Sequence, residues 1–132
     1  MTSKVTYKGG LRTSSVHLAS GTEVLSDAPT DNHGKGQAFS PTDSVANALA
    51  TCMFTVMGIK AQDMGFDLDG ATAEVTKHMQ SDPRRISAID IVFTLPSADE
   101  KSRTILERTA LTCPVYLSLS DTVEKNVTFN WS

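Results

Sequence analysis

Two thiols, Cys52 and Cys113, are the side chains of this sequence with the most open chemistry. A thiolate is a strong nucleophile, a metal ligand and the reacting species in disulfide exchange. Cys113 is followed at once by Pro114. Proline suits the first position of a helix, so the pair predicts Cys113 as the capping residue of a short helix. The free amides and partial positive charge at such an end favour a thiolate. A buried, inert cysteine fits the same position, because cysteine is among the residues most often packed inside. Cys52 lies in the middle of a long, nearly uncharged stretch. The helix dipole gives little help there, and the local sequence supplies no cation. Cys52 is either a thiolate served by a group from elsewhere in the chain or one more small residue on a packed helix.

Other chemistries lack their residues. No Cys-x-x-Cys is present, and His17, His33 and His78 have no ligand spacing to each other or to a cysteine, so no metal is expected. The run Gly34-Lys35-Gly36 is not a phosphate loop, because the upstream glycine position holds Pro29 and no Ser or Thr follows Lys35. Neither a dinucleotide fingerprint nor a nucleophile elbow occurs. Arg84-Arg85, after Asp82-Pro83, reads as a solvated turn.

The bulk composition frames a soluble globular protein of 132 residues, expected as a single domain over residues 1–132. The net charge is −3 and the basic residues are scattered, which argues against nucleic acid and anionic membranes as partners. The uncharged segment from Ser44 to Ile59 is short for a bilayer span. No apolar run follows Met1, so a cytoplasmic protein is expected. In that compartment a thiol pair is more often catalytic or transient than a permanent staple.

Several elements must position the thiols. Val5 and Tyr7 alternate with polar neighbours up to a turn at Gly9-Gly10, and strands follow over residues 14–18 and 22–25. A polar loop covers residues 27–39. Ser40-Pro41-Thr42-Asp43 then predicts a helix start, with Ser40 as cap, Pro41 first, and Asp43 where a capping box places an acid. The helix should run to about Met64 and stop at Gly65. It is apolar around most of its circumference, which predicts burial by a sheet or by a second subunit. Residues 71–79 and 89–95 alternate as two strands joined at Ser81-Asp82-Pro83, which predicts a hairpin. Ser97, with Glu100 three residues on, predicts the cap of a second helix. A last strand alternates through Val123, Val127, Phe129 and Trp131. Strands at the start, middle and end, with helices packed on them, define an α+β fold.

Phe39-Ser40-Pro41-Thr42-Asp43 leading through Ala48-Leu49-Ala50-Thr51-Cys52-Met53 resembles the first motif of the OsmC/Ohr family of osmotically induced and organic hydroperoxide resistance proteins. Leu111-Thr112-Cys113-Pro114-Val115 through Ser118-Leu119 resembles the second. Order, separation and the terminal strand extend the resemblance over essentially the whole chain, nearest to the general OsmC-like branch. It implies antiparallel sheets wrapped around long central helices in an intertwined homodimer. It also implies reduction of small organic hydroperoxides, and to some degree hydrogen peroxide, without metal, haem, flavin or other cofactor.

On this resemblance Cys52 is the peroxidatic thiol and Cys113 the resolving thiol that closes a Cys52–Cys113 disulfide. An external dithiol, in the family often a lipoyl group, reopens it. The resemblance assigns Arg12 as the cation beside Cys52. The family glutamate that holds this arginine falls ten residues before the first cysteine. Here that position is Thr42, and the acid stands one later, at Asp43, which either takes over the role or only caps the helix. Met53, Phe54 and Met57 are candidates to line an alkyl pocket or to belong to the core. Two other functions fit the same scaffold: a non-enzymatic dimeric stress or binding protein, and a thiol redox sensor.

Overall fold

The computed structural model describes residues 1–132 as two compact units, Met1–Val45 and Ala46–Ser132. The first unit is a three-stranded antiparallel sheet of β1 (Ser3–Gly9), β2 (Arg12–His17) and β3 (Glu23–Asp27), in that order. The β1–β2 turn puts three successive residues, Gly9, Gly10 and Leu11 (φ 63°), in the left-handed region. Gly9 (φ 81°) and Gly10 (φ 61°) adopt it without a side-chain clash. Register then places Arg12, the first residue of β2, opposite Asp27, the last of β3. A loop with a 3-10 turn at Thr30–Asn32 leads to Ser40.

Helix α1 spans Pro41–Met64, as its end signals predict. The Ser40 backbone N–H donates to Asp43 Oδ2, and the Asp43 N–H donates to Ser40 Oγ, both at 3.0 Å. This reciprocal pair satisfies two amides that a helix start leaves without partners. At the other end Gly65 adopts φ 66°. Its N–H bonds Gln62 O and the Phe66 N–H bonds Ala61 O, closing the last turn. By length and apolar composition α1 would suffice to cross a membrane. Buried core helices share that property, and one stripe of α1 (Leu49, Ala50, Met53, Met57, Ala61) is packed in the core. The expectation of burial all round is not met within one chain, since Ile59 is 58% exposed.

In the second unit, β4 (Thr72–Gln80), β5 (Arg85–Leu95) and β6 (Glu124–Trp131) form a sheet with β5 in the middle. β4 and β5 are an antiparallel hairpin, whereas β6 runs parallel to β5. That corrects the expectation of purely antiparallel sheets. Parallel neighbours need a long crossover, and α2 (Glu100–Ala110) with α3 (Pro114–Ser118) provides it. The cap of α2 is Asp99 rather than Ser97. Its carboxylate accepts the Ser102 N–H at 2.7 Å, which holds its pKa below the ordinary carboxylate value. An Asp two residues later caps as well as Ser and adds charge at the positive end of the helix.

Period-two alternation sends Ile89, Ile91, Phe93 and Leu95 of β5 to one face, where all four are buried with Leu49, Met53, Met57, Leu106 and Ala110. Phe93 is sandwiched edge-on by Phe54 (centroids 4.8 Å) and stacked by Phe129 (5.4 Å). Trp131 ends the chain's last strand with its indole N–H donating to Glu107 Oε1 at 2.9 Å, which ties β6 to α2.

Candidate functional site

Cys113 caps α3, as the Cys-Pro pair predicts. Its extended backbone (φ −67°, ψ 149°) precedes Pro114 in the first helical position, and the Tyr116 N–H donates to Cys113 Sγ at 3.3 Å. The residue is 0% exposed. The capping argument alone points to an acidified thiol. The structure reverses that sign: burial pushes the Cys113 thiol above its ordinary value. The Tyr116 amide opposes the shift, and the neighbouring Cys52 side chain adds to it. Taking a sulfur out of water disfavours the anion by more than a five-residue helix start repays.

The proximity of the two thiols is the central finding at the site. The long helix α1 and the crossover before β6 place Cys52 and Cys113 near enough to influence each other's charge, and both are free thiols. Cys52 is half-buried at the margin of the core, whereas Cys113 is enclosed. The pair is therefore asymmetric. One residue is partly exposed, and the other is enclosed and keeps its proton more firmly.

The remaining candidates separate. Met53 and Met57 are fully buried core residues, because their face of α1 points at β5; Phe54 is half-buried against Phe93. Asp43 forms the α1 capping box, in the first unit. Arg12 is half-buried at the start of β2, also in the first unit, while both thiols belong to the second. No group of three or more His, Cys, Asp or Glu side chains converges as metal ligands would. A cavity of ≈ 350 Å³ lined by Gly58, Ala61, Gln62, Phe66 and Leu68, among others, contains neither thiol.

One residue was not legible in the sequence as part of any site. Asp27 is buried at the end of β3, in a position where the sequence reads as the edge of a polar loop. Only the strand register, pairing it with Arg12, sets it apart.

The model of the OsmC-like protein family matches residues 34–128. Among solved structures, one from Psychrobacter arcticus 273-4, provisionally named an osmotic stress induced and detoxification response protein, is 53% identical, with 98% of this chain and 96% of that chain covered at a TM-score of 0.96. An organic hydroperoxide resistance protein OsmC from Legionella pneumophila is similar over 98% of this chain and 97% of its own at a TM-score of 0.74, with 16% identity. An organic hydroperoxide resistance protein from Elizabethkingia anophelis covers 100% of this chain and 97% of its own, at a TM-score of 0.74 and 14% identity. These last two share the fold. Comparison with curated proteins returned no match.

Proposed function

Because the chain belongs to the OsmC-like protein family, we propose that it is a thiol-dependent peroxidase that protects against organic hydroperoxides. The observation that carries this reading is the nearness of a half-buried Cys52 to an enclosed Cys113. Relatives named for organic hydroperoxide resistance support the substrate class.

In the proposed reaction the Cys52 thiolate attacks the distal oxygen of ROOH. The S–O bond forms as the O–O bond breaks, giving a sulfenic acid and an alkoxide that takes a proton to leave as ROH. Cys113 then attacks the sulfenic sulfur, the S–S bond forms and water departs with the Cys113 proton. An external dithiol, a lipoyl group being one candidate, reduces the disulfide and is itself oxidised. The raised pKa of Cys113 suits the order of the two steps, since it leaves the first attack to Cys52. Cys113 stays protonated while Cys52 reacts, and its nearness to Cys52 shortens the life of the sulfenic acid. Arg12 is assigned to stabilise the Cys52 thiolate and the developing alkoxide. Phe54 offers an apolar surface for the alkyl group.

The reading includes a homodimer in the cytoplasm. Ile59 on α1, and Val5 and Tyr7 on β1, are large apolar side chains left exposed by one chain, as expected of surfaces that a second copy covers.

The test is peroxide consumption with cumene hydroperoxide and dihydrolipoamide. Wild type turns over, Cys52→Ser does not, and Cys113→Ser accumulates a sulfenic acid at Cys52 that dimedone traps. Turnover unaffected by both substitutions refutes the mechanism. Stoichiometric oxidation without turnover assigns the pair to redox sensing instead.

A further inference from the structure

Period-two alternation puts Lys125, Val127, Phe129 and Trp131 on one face of β6. The last three are apolar and pack against the core, whereas the first is a lysine, half-buried beside them. Its register partner in β5 is Ile89, which is fully buried. An ammonium group at such a position must find polar partners or reach water. Lys125 Nζ donates to Val123 O at 3.1 Å and to Ser120 O at 3.4 Å. The same nitrogen lies 5.1 Å from the centre of the Tyr116 ring, within reach of a cation–π attraction. Tyr116 belongs to α3, and its backbone N–H donates to Cys113 Sγ. An unbroken line of contacts therefore runs from β6 to the buried thiol. A helix of five residues is too short to hold its own place, so α3 depends on such outside contacts. A disulfide is demanding about place, since it forms only when the two Cβ atoms come within about 3.5–4.5 Å.

We propose that Lys125 is the positioning residue for Cys113: anchored on the Ser120 and Val123 carbonyls, its ammonium fixes Tyr116 and with it the end of α3 that carries the second thiol. This rests on the reading of Cys113 as the resolving thiol. The competing explanation is local, with Lys125 only sheltering its own charge beside an apolar strand.

Three substitutions separate the two. Lys125→Met keeps the stem and removes the charge. Lys125→Arg keeps a cation for the ring. Tyr116→Leu removes the ring and keeps the amide that reaches Cys113. Two steps are timed in a single turnover with cumene hydroperoxide: formation of the Cys52 sulfenic acid, and closure of the disulfide. Mass spectrometry counts the Cys52 sulfinic acid, the product of a sulfenic acid left waiting. In Lys125→Met closure slows about fivefold and sulfinic acid rises, while the first step stays within about twofold of wild type. Lys125→Arg restores closure. Tyr116→Leu slows closure to a similar degree, and the double variant is no slower than the poorer single, because both act through one contact. Closure at the wild-type rate in Lys125→Met, or equal slowing of both steps, overturns the proposal.

Closure is also timed without peroxide. Glutathione disulfide converts Cys52 to a mixed disulfide and releases one glutathione; the Cys113 thiolate, its proton lost, then displaces the second as the protein S–S bond forms. A wild type that consumes no peroxide but closes by this route sinks the peroxidase reading alone, and the Lys125 variants still decide the proposal. A wild type that closes by neither route overturns both. Should Lys125→Met not fold, Tyr116→Leu decides by the same two rates.

Discussion

Replacing Asp43 with alanine separates a structural carboxylate from a catalytic one. The substitution removes the acceptor for the Ser40 N–H, and Ser40 is itself buried. A buried donor left without a partner costs about 1–3 kcal/mol. Loss of an acid from the first turn adds about 0.3–1 kcal/mol through the helix dipole. The Asp43 amide keeps its bond to Ser40 Oγ, so half of the box survives and the low end of this range applies. We therefore expect about 1.5 kcal/mol of destabilisation. For a chain of this length, with an unfolding entropy of about 0.28 kcal/mol/K, that is a fall in Tm of roughly 5 °C. Ser40→Ala should cost a similar amount, and the two together less than their sum, because each removes part of one reciprocal unit. Differential scanning calorimetry reads the shift, and peroxide turnover measured well below the transition should stay within about twofold of wild type. A Tm within a degree of wild type combined with a hundredfold loss of turnover would falsify the capping account and return Asp43 to the catalytic machinery.

Stability should decline on the alkaline side through Cys113. Its folded pKa lies above the ordinary 9.0, so above that pH the unfolded chain loses a proton that the folded chain retains, and folding weakens as pH rises. Urea midpoints at neutral and alkaline pH should therefore diverge more in wild type than in Cys113→Ala; equal divergence removes the buried thiol as the cause. Phe93→Ala empties the centre of the second unit and should cost about 3–5 kcal/mol in urea unfolding, with a loss below 1 kcal/mol contradicting the packing described. Trp131→Phe keeps most of the ring volume but drops the bond to Glu107, and should cost about 1 kcal/mol, a loss that Glu107→Gln largely reproduces.

Local signals with one mechanical meaning were readable in the sequence. Ser-Pro-Thr-Asp at residues 40–43 marked the start of α1 and Gly65 its stop, because caps are satisfied within a few residues of themselves. Alternation fixed the buried face of β5 and the faces of β4 and β6. The direction of β6 was not readable, since alternation is identical for parallel and antiparallel neighbours. Ser97 and Asp99 are both good caps, and only the helix itself chooses between them. At the site, Cys113 as a cap followed from its neighbour Pro114, but the sign of its pKa shift did not. Burial by residues distant in sequence decides that sign. Asp27 escaped notice for the same reason, being defined by a strand partner fifteen positions away (12 to 27).

The parallel alignment of β6 bears on when the thiols can first find each other. They stand 61 positions apart (52 to 113), and Cys113 lies in the bridge that must loop over before β6 can dock beside β5. Closing so long a stretch is among the slower events of chain collapse, because its entropy is spent before its contacts form. A chain that has not completed this crossover is expected to hold its two sulfur atoms apart, so that under the proposed reaction rapid pairing of the thiols would mark molecules that have finished assembling.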